Sequence, residues 1–117
     1  MSDISFSRLI AQFATNTPDR PAITCGAQVI SYRKLEKNSN RLARAYQELG
    51  VNADDFVTIA LPNSIEFFEA CIALWKLGAT PQPVSYRLPA IELQAIVALA
   101  NSKLIIGGKQ TQFPDRT

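Results

Sequence analysis

The chain has 117 residues, with 12 lysines and arginines against 10 aspartates and glutamates, so its net charge is +2 at neutral pH. Hydrophobic residues make up 47% and charged residues 19%, which is typical of one globular domain and excludes a disordered, collagen-like or coiled-coil chain. Charges of both signs are mixed, which argues against a nucleic-acid-binding protein, and the absence of histidine excludes a Ser-His-Asp triad and a histidine-ligated metal within this sequence.

The two cysteines, Cys25 and Cys71, are too few for a zinc site of the usual four ligands. Each lies among apolar residues, so we expect buried thiols rather than reactive ones, in a reducing compartment. The first residues show neither the basic leader nor the apolar core of a signal peptide, and the most apolar stretch, 67–77, contains two charges. We therefore expect a cytoplasmic protein without a membrane span.

The first part of the chain predicts a helix followed by a β-hairpin. Apolar residues at helical spacing predict the helix over 5–15, and it ends before Pro18 because proline disfavours helix at the residue before it. Extended segments over 22–25 and 28–32 follow, and Gly26 lies at the turn between them.

A second helix is predicted over 33–49. Ser31 is placed to cap its amino terminus, and Gly50 suits the left-handed position just past its end. The predicted buried stripe consists of Leu35, Ser39, Leu42, Tyr46 and Leu49. The predicted solvent face carries Lys34, Lys37, Asn38, Arg41 and Glu48.

The remaining elements alternate: strand 56–61, helix 64–77, strand 80–84, helix 90–100 and strand 103–106. Asn63 and Glu66 are spaced as in a capping box, and Gly78 ends the first of these helices. This βαβαβ order predicts a partial three-layer α/β fold with parallel strands and right-handed crossovers. We expect residues 1–108 to form an incomplete unit whose fold continues beyond the chain, and the polar tail 109–117 to be loop or disordered.

No segment predicts an active site by spacing alone. The turn Pro62-Asn63-Ser64 lacks the glycines of a phosphate-binding loop. Gly107-Gly108-Lys109 follows a strand but precedes no helix pattern, so a flexible loop is favoured over an anion-binding nest. Structural roles are favoured for the other candidates: a solvated turn for Asp54 and Asp55, a helix amino terminus for Glu66 and Glu69, the core for Trp75 and the surface for Lys103.

Several motifs, in order over about residues 5–108, resemble the adenylate-forming (AMP-binding) superfamily. Residues 30–35 and 39–43 are similar to its patterns L-T-Y-x-E-L and S-N-R-L-A. Residues 57–67 are similar to V-x-I-x-x-P-N-S-x-E-F, and 73–79 with Pro83 to L-K-A-G-A-x-x-x-P.

The resemblance implies a parent enzyme that activates a carboxylic acid with ATP and Mg and, in acyl-CoA synthetases, transfers the acyl group to CoA. Residues 82–89 look more similar to the bile-acid or steroid-acid CoA ligase branch than to peptide-synthetase adenylation domains. The family's phosphate loop, aromatic-Thr-Glu motif, ribose-binding aspartate and catalytic lysine have no counterpart in this sequence. The resemblance thus implies an N-terminal structural portion, inactive alone, with no catalytic, cofactor-binding or metal-binding residue, in which Tyr32 and Gly78 serve packing and capping.

Two hypotheses for the partner stay open. The chain packs against the remainder of its parent ligase, or it is a free-standing α/β interaction module that self-associates or binds a partner chain. An unfinished parallel sheet leaves an unpaired edge, so we expect a dimer or larger species of the chain alone. A small nucleotide-binding domain is disfavoured because the glycine loop is absent.

Overall fold

The computed structural model describes residues 2–107, with side chains from residue 8 onwards; the predicted tail 109–117 lies outside this range. The described elements are α1 (Ser2–Asn16), β1 (Pro21–Cys25), β2 (Gln28–Ser31), α2 (Tyr32–Glu48), β3 (Phe56–Ala60), α3 (Ile65–Lys76), β4 (Thr80–Pro83), α4 (Ala90–Ala100) and β5 (Leu104–Gly107). Their order confirms the predicted α/β sequence of helix, hairpin, helix and βαβαβ unit. Within residues 2–107, no helix combines the length and the apolar character that crossing a bilayer requires.

The strands form two separate sheets. β1 and β2 pair antiparallel, with Cys25 opposite Gln28 and Gly26 at a φ of 60° in the turn. β3 lies between β4 and β5 in a parallel sheet of order β4-β3-β5. The chain therefore steps from the central strand to one edge and then back across it to the other.

The two steps place their helices on opposite faces of this sheet. Val57 and Ile59 pack with Leu74 of α3, whereas Ala60 packs with Leu93 of α4. Side chains alternate along a strand, so β3 is covered on both faces. This burial explains why its sequence is a continuous apolar and β-branched run rather than an alternating one.

Helix α2 begins as predicted, with the Ser31 hydroxyl accepting a hydrogen bond from the Lys34 N–H at 3.2 Å. Its buried face differs from the prediction: it consists of Leu35, Ser39, Ala43 and Tyr46. Leu49 lies just past the helix and is 51% exposed. Leu42 is half-buried and packs against the cluster that contains Tyr46 and Leu74, whereas Leu49 is exposed because the helix has already ended before it.

The cap of helix α3 also differs from the prediction. The N-cap is Ser64, whose hydroxyl accepts from the Phe67 N–H at 3.2 Å, so the capping box of Asn63 and Glu66 is wrong by one residue. The helix ends at Lys76, and Gly78 follows at a φ of 77° as expected.

Helix α1 and the hairpin pack on the far side of α2 and α3. Their shared cluster contains Ile10 of α1, Ile30 of β2 and Ile72 of α3. The layers therefore run from α4 through the parallel sheet to α3 and α2, and then to α1 and the hairpin. The sheet's carboxyl edge remains at one end of this stack.

Candidate functional site

The carboxyl edge of the parallel sheet is the candidate site. All three strands run in the same direction, so the segments that follow them meet at this edge. In open α/β sheets, ligands bind outside the carboxyl ends of the strands. The described segments at this edge are 61–64 after β3 and 84–89 after β4.

The segment after β3 is held by Ser64. Its hydroxyl donates to the Pro62 carbonyl at 2.9 Å while it accepts from the Phe67 N–H. One of the helix's otherwise unpaired N–H groups is thereby satisfied by the chain itself. Asn63 next to it is exposed at the tip of the turn.

The segment after β4 carries a cation. The Ser85 hydroxyl accepts from the Arg87 N–H at 3.2 Å, which closes a tight turn. The Arg87 guanidinium lies 5.3 Å from the centre of the Tyr86 ring, and its Nε donates to the Tyr86 hydroxyl at 3.2 Å. Both side chains are exposed, so this turn offers a positive charge and hydrogen-bond donors to solvent at the sheet edge.

Gly107 completes the edge, at the end of β5. The sequence predicts that this strand ends at residue 106, but Gly107 pairs with Ala60 in the ladder. A Cβ placed on Gly107 would lie 2.6 Å from the Ala60 carbonyl oxygen and 2.6 Å from the Leu61 side chain. The residue is therefore a close-packing glycine. Gly108 and Lys109, for which the sequence favours a flexible loop over an anion-binding nest, lie outside the described residues.

A second group of polar side chains joins α2 to α3. The Asn38 amide donates to the Glu69 carboxylate at 2.7 Å, and the Lys76 ammonium pairs with Glu36 at 2.7 Å. The sequence predicts Asn38 on the solvent face and Glu69 in service of the helix amino terminus; instead they form a contact between the two helices. Glu69 is buried between the two helices, so its carboxylate needs a hydrogen-bond donor, which Asn38 supplies. The spacing of residues within one helix does not show which of them are buried against a second helix.

Burial changes the protonation chemistry of two side chains near this contact. It raises the pKa of the Cys71 thiol from 9.0 to about 11. Burial also raises the pKa of Tyr46 from 10.0 to about 12, helped by the nearby Cys71 and Glu69. Both groups hold their protons at neutral pH, so neither is poised as a nucleophile or a base.

The other sequence candidates take structural positions. The Asp55 carboxylate accepts from the Asn52 N–H at 2.7 Å inside the turn before β3. Trp75 is half-buried and packs against two hydrophobic clusters, as predicted. Among residues 2–107, no three histidine, cysteine, aspartate or glutamate side chains come together as a metal site.

An apolar cleft of about 350 Å³ lies between α1, the hairpin, α2 and α3, away from the sheet edge. Its walls include Phe13, Tyr32, Phe68 and Trp75. The sequence assigns Phe13, Tyr32 and Trp75 to packing positions. The spacing of residues within each element does not predict that these elements leave a cleft between them.

Three comparisons with known proteins find similar chains. The family described as "AMP-binding enzyme" matches residues 10–116. The 2,3-dihydroxybenzoate-AMP ligase of Bacillus subtilis (strain 168) is 46% identical over 77 residues, which are 66% of this chain. The solved fatty acyl CoA synthetase of Mycobacterium tuberculosis superposes with a TM-score of 0.78 at 30% identity over 88% of the chain.

A third similar protein is the NpsA N-terminal subdomain of Klebsiella oxytoca, solved in complex with anthranilyl-AMSN. It superposes with a TM-score of 0.76 at 26% identity over 86% of this chain. The match covers 14% of the Bacillus ligase, 21% of the Mycobacterium synthetase and 26% of the Klebsiella subdomain. The chain thus spans about a quarter or less of the length of these relatives.

Proposed function

Because this chain belongs to the AMP-binding enzyme family, we propose that it forms the N-terminal structural portion of an enzyme that adenylates a carboxylic acid. In that reaction a carboxylate oxygen bonds to the α-phosphorus of ATP, and pyrophosphate leaves. The family match over residues 10–116 carries the proposal. ATP and Mg would be bound by the whole enzyme, and the 117-residue chain alone is inactive.

The described residues support a scaffolding role. The sheet's carboxyl edge is shaped by backbone contacts, namely the Ser64 cap and the close approach of Gly107 to Ala60. Acids and bases suited to catalysis at neutral pH are not gathered at this edge within residues 2–107: Cys71 and Tyr46 are buried, protonated and on another face. In the proposed enzyme, this chain therefore has a structural role, and the catalytic side chains belong to the rest of the protein.

We propose CoA as the acceptor of the acyl group in the second half-reaction. The thiol sulfur of CoA bonds to the acyl carbon of the adenylate, and AMP leaves. The similarity to a fatty acyl CoA synthetase over most of the chain supports this acceptor. The resemblance of residues 82–89 to the bile-acid or steroid-acid CoA ligase branch supports the same acceptor.

A second candidate is an aryl-acid adenylating enzyme. The similarity to a 2,3-dihydroxybenzoate-AMP ligase has the higher identity, although over a shorter stretch than the synthetase match. The two candidates share the first half-reaction and differ in the acid and in the acceptor. Both can therefore be tested with one set of substrates.

The experiment measures pyrophosphate release by the longer protein and, separately, by residues 1–117. We expect acid-dependent release from the longer protein, conversion of the product to a CoA thioester, and only background release from the chain alone. Release with hydroxybenzoates but no thioester would support the aryl-acid candidate. Adenylate formation by residues 1–117 alone would contradict the proposed inactive scaffold.

The free-standing interaction module is the remaining alternative. It is favoured by the large apolar side chains that α4 leaves exposed, Ile91 at 80% and Leu99 at 88%. The reading frame after Thr117 discriminates: a continuing frame with a Ser/Thr/Gly-rich loop supports the ligase, and a stop codon supports the module.

A further inference from the structure

Helix α2 carries a row of cations along its exposed side. We call this row the basic stripe, and it consists of Lys34, Lys37, Arg41 and Arg44, all of which are exposed. At about 3.6 residues per turn and 1.5 Å per residue, the positions fall within an arc of about 80° and span about 15 Å of the helix. On this arc, Glu48 is the acidic residue, one turn beyond Arg44. The side of α2 that faces solvent is therefore strongly positive over most of its length.

The cations of the basic stripe have no ion-pair partner among the side chains described from residue 8 to residue 107. The carboxylates that contact α2 are engaged elsewhere: Asp19 pairs with Arg33, Glu36 pairs with Lys76, and Glu69 accepts from Asn38. The positive charge of the basic stripe is thus left for solvent or for another molecule.

Helix stability does not account for this placement. The amino-terminal end of a helix carries a partial positive charge, so a cation there is unfavourable. Lys34 lies in the first turn of α2, which contains no acidic residue, and the last turn contains no basic residue. Like charges three or four positions apart also repel each other along the whole stripe. An arrangement that opposes local stability and lacks a compensating contact is typical of a functional surface.

We propose that the basic stripe docks an acidic helix of another protein. Glutamates or aspartates at gaps of three, four and three residues lie at the same axial spacing as the cations of α2, so the two rows match over about 15 Å. Such a match gives orientation and fast association more than high affinity. The interaction goes beyond the proposed function and does not depend on the acid that the enzyme activates.

The rest of α2 favours an acidic helix over other anionic partners. A helix that binds membranes combines its cations with an exposed apolar side, whereas Leu35 and Tyr46 on the apolar side of α2 are buried in the fold. The exposed positions of α2 carry no aromatic side chain on which a nucleic-acid base could stack. A second copy lacks the matching row, because no helix within residues 8–107 exposes more than one carboxylate.

Two labelled, alanine-based helical peptides test the proposal with the full chain. Each contains four glutamates, which lie at gaps of three, four and three residues in the row peptide and are scattered around the helix in the other. Fluorescence anisotropy at low salt should show the row peptide bound at least about fivefold more tightly, because its charges face the stripe together. Added salt should weaken this binding, since exposed charges are screened.

Charge reversal on α2 provides the second measurement. Lys37→Glu with Arg41→Glu should weaken binding of the row peptide by about tenfold or more, because each reversal replaces an attraction with a repulsion. The matched control is Arg87→Glu with Lys103→Glu, which changes the net charge equally at exposed positions on other segments. It should alter the affinity by no more than about twofold. Circular dichroism checks the fold of both, and Lys37→Ala with Arg41→Ala repeats the comparison if the reversal unfolds the chain.

Three results would overturn the proposal. One is equal binding of the row peptide and the scattered peptide. Another is an equal loss of affinity in the two double variants, which would report net charge alone. The third is tighter binding of phosphatidylserine vesicles or duplex RNA than of the row peptide, with that binding lost in Lys37→Glu with Arg41→Glu. A longer protein that activates no acid would refute the proposed function and leave these readouts intact.

Discussion

Gly107 is the residue whose replacement the carboxyl edge tolerates least. Its φ is 82°, and an added Cβ would meet the backbone oxygen of Ala60, which cannot rotate away as a side-chain tip does. The close approach of β5 to β3 at this point therefore depends on a hydrogen in place of a side chain.

We expect Gly107→Ala to lower the free energy of unfolding by about 2–4 kcal/mol, combining backbone strain with the clash. Gly26→Ala is the control, because Gly26 also has a positive φ but has no atom within 4 Å of the added carbon. That variant should lose only about 1 kcal/mol. Urea unfolding measures both, and equal losses would show that the close approach does not matter.

The buried thiol and phenol predict how stability depends on pH. The pKa of Cys71 is about 11 and that of Tyr46 about 12 in the folded chain, above their usual 9.0 and 10.0. Between the usual and the raised values, the unfolded chain releases protons that the folded chain keeps. The folded state then binds more protons, so the free energy of unfolding falls as pH rises.

The expected decline begins near pH 9 and continues to about pH 12, and stability from this source is complete below pH 9. Urea unfolding at successive pH values measures it. Cys71→Ala should make the decline between pH 9 and pH 11 shallower. An identical slope in Cys71→Ala would contradict the assignment.

At the scale of elements, helix α4 has one buried side and one exposed side, and the two contribute unequally to the free energy of unfolding. Leu93 is 1% exposed against β3 and β5, and Leu99 is 88% exposed on the same helix. The two residues have the same side chain, so they compare burial with chemistry held constant. The difference between the effects of replacing Leu93 and Leu99 therefore measures how much the packing of α4 stabilises the parallel sheet.

We expect Leu93→Ala to cost about 2–5 kcal/mol, through lost apolar burial and the cavity left behind. Leu99→Ala should change the free energy of unfolding by less than about 0.5 kcal/mol, as is usual for exposed positions. Chemical denaturation of residues 1–117 measures both. A large loss in Leu99→Ala would mean that α4 is covered on its outer side even in the isolated chain.

For the whole molecule, the exposed side of α4 predicts association. Apolar patches on one side of a folded chain favour contact between molecules, and Ile91 and Leu99 lie about two turns apart on that side. We therefore expect the exposed face of α4 to contribute to the predicted dimer.

The mass of residues 1–117, measured by light scattering from micromolar to millimolar concentration, should rise towards that of a dimer or larger species. The double variant Ile91→Lys with Leu99→Lys should remain a monomer at concentrations where the natural sequence associates, because charged side chains at the patch repel. Association of equal strength in both proteins would place the contact elsewhere.

The local features of this fold follow from short stretches of sequence. Ser31 and Gly78 mark helix ends through chemistry within a few residues, and the β-branched run of β3 reports a strand covered on both faces. Element order follows from such signals, since caps, turns and periodicity act between residues that are close along the chain.

Contacts between distant residues required the folded chain. The Asn38–Glu69 hydrogen bond spans 31 positions, and Gly107 meets Ala60 across two strands that two helices and a third strand separate in sequence. The outward direction of Pro81 and Pro83 depends on which edge of β4 pairs with β3. Periodicity within one element does not show which other elements it packs against. Strand order, the partners of buried polar groups and the position of the sheet edges are therefore decided only when the layers pack.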